Sequence, residues 1–173
     1  MGKLFYGTQT GTTDDVAHRI QKALPEYIDE VKCIIYASPA DFEDCEFLVL
    51  GGSTWGDGEL TDDWVDFLPQ FEALDLTGKT VALFGLGDQY GYGYNFVSAM
   101  KVLYDIVKKN GSRVIADTIS LDGFDYEHSE SVVDGCFVGL AVDEVNQPEL
   151  TDDRIANWAA LVRAQATGAV TAQ

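Results

Sequence analysis

A short segment near the N-terminus carries residue types that bind phosphate groups in many proteins. It is a run of threonines with one glutamine and one glycine, placed directly before a helical pattern: Thr8, Gln9, Thr10, Gly11, Thr12 and Thr13. Hydroxyl groups and backbone N–H groups at the start of a helix are suitable phosphate ligands. A threonine-rich turn that only caps a helix has the same composition and is the commoner case. Composition alone therefore leaves both interpretations open.

The same segment argues against two common nucleotide-binding motifs. It contains no lysine, whereas the P-loop uses a lysine to contact nucleotide phosphates. Its glycine spacing also differs from the GxGxxG pattern of dinucleotide-binding folds. A phosphate bound here would be held by uncharged donors.

Two further loops combine aromatic rings with glycines. They read Ser53-Thr54-Trp55-Gly56-Asp57-Gly58-Glu59-Leu60 and Gly87-Asp88-Gln89-Tyr90-Gly91-Tyr92-Gly93-Tyr94-Asn95. Taken separately, an aromatic residue in such a loop more often covers the core than binds a ligand. Together with a phosphate segment, the two loops favour a flat heteroaromatic ring held between tryptophan and tyrosine. Each such ring pair adds about 0.5–1.5 kcal/mol beyond burial.

The three loops must be positioned by strands and helices that alternate along the chain. Short apolar strands are predicted over residues 3–7, 31–36, 47–51 and 80–85, with a fifth beginning near residue 113. Amphipathic helices lie between and after them, with these apolar positions: Val16, Ala17, Ile20, Ala23 and Leu24; Trp64, Val65, Leu68 and Phe71; Phe96, Met100, Leu103, Tyr104 and Val107; Ile155, Trp158, Ala159 and Val162. This alternation predicts a doubly wound α/β fold, a parallel sheet with helices on both faces. Ligands of such sheets bind at the carboxyl ends of the strands, where all three loops lie.

We interpret residues 1–173 as a single domain with one insertion. The stretch from residue 117 to 150 is too long for an ordinary connection between a strand and a helix. We expect an insertion over about residues 117–138 that packs as small strands or a lobe, after which residues 138–142 resume the fifth strand. Residues 167–173 are expected to fray.

Composition limits the partners and the chemistry. With 29 acidic and 11 basic residues the formal net charge is -18, so nucleic acid would be repelled. The acidic surface serves either solubility or the steering of a basic protein partner. The three cysteines lack zinc-site or disulfide-framework spacing, so we expect buried or half-buried free thiols and no metal site. His18 and His128 are expected to face solvent.

Neither a secretion signal nor a membrane span is evident in the sequence. Residues 1–7 lack the extended apolar region of a signal peptide. The longest apolar runs are strand-like pieces such as residues 47–50, far short of the roughly 18 residues that a bilayer requires. We expect a cytoplasmic monomer with no membrane partner.

Three strings of this sequence look like the FMN-binding loops of flavodoxins. They are Leu4-Phe5-Tyr6-Gly7-Thr8-Gln9-Thr10-Gly11, Thr54-Trp55-Gly56-Asp57-Gly58-Glu59-Leu60, and Gly87-Asp88-Gln89 followed by Gly91-Tyr92. Residues 135–140 and 150–155 resemble the long-chain subgroup, whose extra loop interrupts strand five. The resemblance covers essentially the entire chain. It implies a five-stranded parallel sheet of order 2-1-3-4-5.

The resemblance also implies a role for each loop. Residues 8–13 would hold the FMN phosphate, Trp55 would stack on the inner flavin face, and Tyr92 would stack on the outer face. The ribityl chain and ring edges would meet the remaining loop residues: Ser53, Thr54, Gly56, Asp57, Gly58, Gly87, Asp88 and Asn95. Relatives tend to be apolar where this chain has Gly2 and Lys3, so the start of the first strand is expected to fray.

The implied function is a low-potential one-electron carrier that uses the semiquinone/hydroquinone couple of FMN and turns over no substrate of its own. Its expected partners carry basic docking faces: a ferredoxin/flavodoxin-type reductase and low-potential acceptor enzymes. We further hypothesise that the Gly56 carbonyl rotates to accept a hydrogen bond from reduced flavin, since glycine tolerates positive φ. Carboxylates of Asp57, Glu59 and Asp88 would lower the second potential by on the order of 100 mV.

Three other functions are alternatives to this one. A phosphoacceptor signalling domain would carry clustered acidic residues after its first strand, where this chain has Gly7, Thr8 and Gln9. An FMN-dependent NAD(P)H reductase is the main alternative, and the lack of a second nucleotide motif counts against it. A pure interaction protein that has lost its flavin would give a colourless preparation that fails to bind added FMN.

Overall fold

Strands and helices alternate from the N-terminus. The computed structural model describes the backbone of residues 2–171 and the side chains of residues 2–166. The strands are β1 (Gly2–Gly7), β2 (Glu30–Cys33), β3 (Phe47–Ser53), β4 (Thr80–Leu86), β5 (Arg113–Val114), β6 (Val132–Val133), β7 (Cys136–Phe137) and β8 (Leu140–Val142). The helices are α1 (Thr12–Ala23), α2 (Ala40–Glu43), α3 (Asp62–Glu72), α4 (Ala99–Lys109) and α5 (Thr151–Thr171). The predicted frayed segment, residues 167–173, falls outside the described side chains and stays a prediction.

The main sheet is parallel and has the order β2-β1-β3-β4-β5, as predicted. Its fifth position is shared by two short strands. β5 pairs with Thr80 and Val81 at the start of β4, and β8 pairs with residues 84–86 at its end. The chain between them forms a small antiparallel hairpin from β6 and β7. The predicted interruption of strand five by an insertion is therefore confirmed.

Helices cover both faces of the sheet because successive strand residues point to opposite sides. Leu4 and Tyr6 of β1 pack in a buried cluster with apolar residues of α1 and α5. Phe5, between them, packs in a second buried cluster with α2, α3 and α4. Strands covered on both faces are continuously apolar, which explains the runs in β3 and β4.

Three details of the predicted elements are wrong. Phe96, which was predicted to lie in the third helix, precedes the first residue of α4, Ala99. The strand expected over residues 31–36 ends at Cys33, and Ile34–Tyr36 forms a 3₁₀ turn with Ile35 and Tyr36 exposed. β2 lies at the sheet edge and its pairing with β1 ends at Cys33, so the β-branched residues beyond it have no strand partner. In α3, Val65 is 48% exposed, whereas Trp64, Phe67 and Phe71 form the buried stripe.

The start of β1 is ordered by contacts that its composition does not reveal. The Gly2 N–H donates a hydrogen bond to Asp29 Oδ2 at 2.9 Å. Lys3 is buried, and its Nζ donates to the Asp41 carbonyl at 3.0 Å. The expectation that this strand frays at its start is therefore wrong.

The cysteines and histidines lie where the sequence predicted. Cys45 is buried, Cys33 and Cys136 are half-buried, and all three are free thiols. The side chains of His18 and His128 are exposed. Among residues 2–171, no helix combines the length and hydropathy needed to cross a bilayer.

Gly51 in β3 leaves room for a core phenylalanine, which gives a testable stability difference. A Cβ at Gly51 would lie 2.3 Å from the ring of fully buried Phe84. We expect Gly51→Ala to lower the free energy of unfolding by about 1–3 kcal/mol, the usual cost of overpacking a core. Gly85→Ala is the matched control, since its Cβ would meet no atom closer than 3.4 Å. Urea denaturation of both apoproteins measures the difference, and equal stabilities would contradict the packing argument.

Candidate functional site

The carboxyl ends of β1, β3, β4 and β8 surround a cavity of about 250 Å³. Its lining residues come from the three loops that the sequence singled out, and from a fourth: Thr10, Thr12, Thr13, Ser53, Thr54, Trp55, Leu86, Gly87, Asp88, Tyr92, Glu144 and Val145. This volume lies near the lower limit of small-molecule sites, which are roughly 300–1,000 Å³. None of the lining residues is a lysine or an arginine.

Nine of the sixteen predicted site residues line this cavity. The other seven lie in the same loops outside the lining: Thr8, Gln9, Gly11, Gly56, Asp57, Gly58 and Asn95. Several of them shape the loops instead. Gly58 has a φ of +91°, and a Cβ there would lie 3.1 Å from Asn95 Oδ1, so these two residues pack one loop against the next.

The threonine loop is held in a fixed turn in front of α1. The Gly11 N–H donates to the Thr8 hydroxyl at 2.9 Å, and Gly11 itself has a φ of +87°. The Thr8 N–H donates to Asp63 Oδ2 at 3.0 Å. Gly11 is the N-cap of α1 and has no side chain to accept from the first-turn N–H groups. These N–H groups and the threonine hydroxyls form an uncharged donor set that suits an anion.

A tyrosine lies under the same loop. The Tyr6 hydroxyl donates to the Asp14 carboxylate in the first turn of α1. Burial, together with this hydrogen bond and the negative charge of Asp14, raises the pKa of Tyr6 far above its usual value. Tyr6 therefore stays protonated and keeps donating to Asp14 across the physiological range.

The tryptophan loop is a tight turn closed by its own backbone. The Trp55 N–H donates to the Glu59 carbonyl at 2.8 Å, and the Glu59 N–H donates back at 2.7 Å. Gly56, at the tip of this turn, has a φ of +52°. The Trp55 indole N–H donates to the Ser53 hydroxyl at 2.9 Å. These contacts fix the indole at the cavity wall while the tip stays exposed.

Of the three tyrosines in the third loop, only Tyr92 lines the cavity. Its N–H donates to the Asp88 carbonyl at 2.9 Å. Tyr90 and Tyr94 are exposed and lie outside the lining. The cavity is thus bordered by one indole and one phenol, at positions 55 and 92, with threonines 10, 12 and 13 also in its lining.

The loop after β8, which was not among the predicted site loops, supplies Glu144 and Val145 to the cavity. Glu144 accepts hydrogen bonds from Arg19 at 2.5 Å and from the Thr151 hydroxyl at 2.9 Å. The signal for this loop was present, since residues 138–142 were expected to resume strand five. The carboxyl end of that strand necessarily meets the same edge of the sheet.

The ionisation of Asp88 is expected to make the free energy of unfolding depend on pH. Partial burial by itself raises the pKa of Asp88, but hydrogen bonds from Gly91 N–H, the Asn146 amide and Tyr90 N–H outweigh burial and lower it. A carboxyl whose pKa is lower in the folded state contributes stability above its unfolded pKa of about 3.9. That contribution is lost as the pH falls through the folded pKa.

We therefore expect Asp88→Asn to flatten the acid side of the stability curve. Below about pH 4 the free energy of unfolding of the wild-type apoprotein should fall more steeply than that of the variant, whereas nearer neutral pH the two slopes should agree. Urea titrations at several pH values measure both slopes. Parallel curves would show that Asp88 does not contribute in this way.

Comparisons with known proteins agree with this geometry. The family model described as "Flavodoxin" matches residues 4–158. The flavodoxin of Nostoc sp. strain PCC 7120 is 40% identical over 162 residues, covering 94% of this chain and 95% of its own. That of Synechocystis sp. is 41% identical, covering 92% and 94%.

Solved structures show the same relationship. The crystal structure of Fusobacterium nucleatum flavodoxin bound to flavin mononucleotide superposes with a TM-score of 0.86 at 36% identity, covering 95% of this chain and 97% of that one. Flavodoxin 1 of Bacillus cereus, at 24% identity and a TM-score of 0.68, shares the fold. With a matching family model, relatives at 40% identity along nearly the full length, and the predicted loops gathered at one cavity, the chain belongs to the flavodoxin family.

Proposed function

We propose that this chain holds one FMN in the cavity and carries single electrons between redox enzymes. The observation that supports this most is the composition of the lining, which combines uncharged phosphate donors with one indole and one phenol. The F. nucleatum flavodoxin, 36% identical, is bound to flavin mononucleotide. The donor set and the two rings fit the phosphate and the flat ring of that molecule.

In this proposal each loop has a separate task. Residues 8–13 bind the phosphate through hydroxyl and N–H donors. Trp55 covers the inner face of the ring and Tyr92 the outer face. The ribityl chain and ring edges meet the remaining predicted residues: Ser53, Thr54, Gly56, Asp57, Gly58, Gly87, Asp88 and Asn95.

Bound FMN supplies one-electron redox chemistry, and the chain tunes its potential. The formal net charge of -18, with Asp88 and Glu144 at the cavity, disfavours added negative charge and so favours a low potential. The same charge steers partners with basic docking faces, such as a ferredoxin/flavodoxin-type reductase and low-potential acceptor enzymes. The protein acts as a cytoplasmic, monomeric, single-domain carrier and turns over no substrate of its own.

The direct test is reconstitution of the purified apoprotein. Titration with FMN should quench flavin fluorescence at a 1:1 ratio and give a yellow protein. The reconstituted protein, mixed with NADPH alone, should keep its flavin absorbance, and it should bleach once a ferredoxin/flavodoxin-type reductase is added. Lack of FMN binding would refute the proposal, and rapid bleaching by NADPH alone would favour a reductase.

Gly56 offers a test of how the chain responds to reduction. Its carbonyl lies at an exposed turn tip, and we expect the peptide to rotate and accept a hydrogen bond from the reduced ring. Gly56→Val places a β-branched residue where φ is +52°, a conformation that costs about 1–3 kcal/mol for such residues. The gap between the two one-electron midpoint potentials should then narrow by tens of millivolts in a spectroelectrochemical titration. Gly78→Val, at a positive φ remote from the cavity, is the control. An unchanged gap in Gly56→Val would argue against rotation.

A further inference from the structure

A carboxylate is buried just behind the cavity wall without lining the cavity. Asp143, at the end of β8, is fully buried. It accepts two hydrogen bonds from Gln89, from the backbone N–H at 3.1 Å and the side-chain amide at 2.8 Å. It accepts three more from the Val145 N–H at 3.1 Å, the Asn146 N–H at 2.9 Å and the Asn146 amide at 2.9 Å. A carboxylate removed from water requires such donors, so these residues are tied to a single position.

The five hydrogen bonds join two loops that both form cavity walls. Gln89 lies in the loop that carries Asp88 and Tyr92, and Val145 lies in the loop after β8. The Asn146 amide also donates to Asp88 Oδ1 at 2.8 Å. Asp88 in turn accepts the Tyr92 N–H through its carbonyl. Hydrogen bonds on either side of Asp88 therefore link the buried carboxylate to the backbone of Tyr92, whose ring lines the cavity.

Gln89 extends this series to the strand-five insertion. Its side chain is buried, and its Oε1 accepts the Asp125 N–H at 2.6 Å. The Gly93 carbonyl, in the same loop, accepts N–H groups from Glu127 and His128, both at 2.9 Å. The loop that carries Tyr92 is thus held from two sides, by Asp143 and by the insertion.

We propose that Asp143 and Gln89 are positioning residues that set the place of Tyr92 relative to Trp55, and so the gap that receives the flavin ring. This inference rests on the proposed function. Neither residue lines the cavity, and neither is hydrogen-bonded to the threonine loop, whose turn is held by Thr8, Gly11 and Asp63. Loss of the pair should therefore affect ring binding and spare phosphate binding.

The test compares Gln89→Met with Gln165→Met in the apoprotein. Gln165 is a matched control, because its Oε1 also accepts a backbone N–H, that of Ala116 at 2.6 Å, and it does not line the cavity. Each protein is titrated with FMN, riboflavin and inorganic phosphate. We expect Gln89→Met to weaken FMN and riboflavin about tenfold and to leave phosphate affinity within twofold, whereas Gln165→Met changes none of the three.

A double-mutant cycle checks that Gln89 acts through Tyr92. If it does, Gln89→Met should weaken riboflavin binding less than threefold in a Tyr92→Ala background. Asp143→Asn, which places an NH₂ group against N–H donors, should weaken riboflavin at least as much as Gln89→Met does. Unchanged riboflavin affinity in Gln89→Met, an equal loss of phosphate affinity, or an additive cycle would overturn the inference. A wild-type protein that binds neither flavin would instead overturn the proposed function, and the inference with it.

Discussion

Trp55→Ala should raise the dissociation constant of FMN roughly 150-fold, a loss of about 3 kcal/mol. About 1 kcal/mol of this is ring stacking beyond burial, and the remainder is the apolar area that the indole would cover. The expectation depends on the fixed position of the indole, which Ser53 and the closed turn hold at the cavity wall. Fluorescence titration of the apoprotein with FMN measures the effect.

Two variants accompany this experiment. Trp55→Phe keeps a stacking ring and should lose only about tenfold in affinity. Tyr94→Ala removes an exposed ring that does not line the cavity, so it should bind FMN like the wild type. If Tyr94→Ala cost as much as Trp55→Ala, the assignment of the stacking residues would be wrong.

Thr12→Glu should weaken FMN binding at least 100-fold while leaving riboflavin affinity within about threefold. Thr12 is the first residue of α1 and lines the cavity. A carboxylate there would repel the phosphate at a separation of a few ångströms, an effect of about 3 kcal/mol or more at an effective dielectric near 20. Riboflavin has the same ring without the phosphate, so the ratio of the two affinities isolates the phosphate contribution.

The same substitution should stabilise the apoprotein. A negative charge in the first turn of a helix gains about 0.3–1 kcal/mol from the helix dipole. Thr12→Gln is the uncharged control, and it should reduce FMN affinity far less than Thr12→Glu. A loss of riboflavin affinity equal to that of FMN would mean that this loop contacts the ring and not the phosphate.

Much of the fold follows from the sequence because central parallel strands must be apolar on both faces. The runs at residues 47–51 and 80–85 show this directly, and both became strands. The predictions of buried positions failed for apolar residues that follow an edge strand or lie beside the buried face of a helix. Ile35 and Tyr36 follow an edge strand and are exposed, and Val65 lies beside the buried stripe of α3. Local periodicity does not reveal which side of an edge strand or a short helix another element covers.

The sequence predicted part of the cavity lining. Trp55 and Tyr92 belong to loops whose glycines and aromatic rings are conspicuous in the sequence, and both line the cavity. Glu144 and Val145 carry no such signal, because an acidic residue and a valine after a strand are ordinary. The seven predicted residues outside the lining lie in the same loops, and several of them shape those loops through their side chains or backbone turns. A composition pattern identifies the loop more reliably than it identifies the atoms that face inward.

The division of the fifth strand into two short pieces affects how readily the sheet can pair with the sheet of another molecule. At one edge of the sheet, β5 has two residues and β8 has three, and the insertion separates them. At the other edge, β2 has four residues, including the charged residues Glu30 and Lys32. Long, regular, uncharged edge strands can pair with strands of neighbouring molecules, which is a common route to aggregation. Short and charged edges offer few sites for such pairing, so we expect this chain to resist aggregation of this kind at high protein concentration.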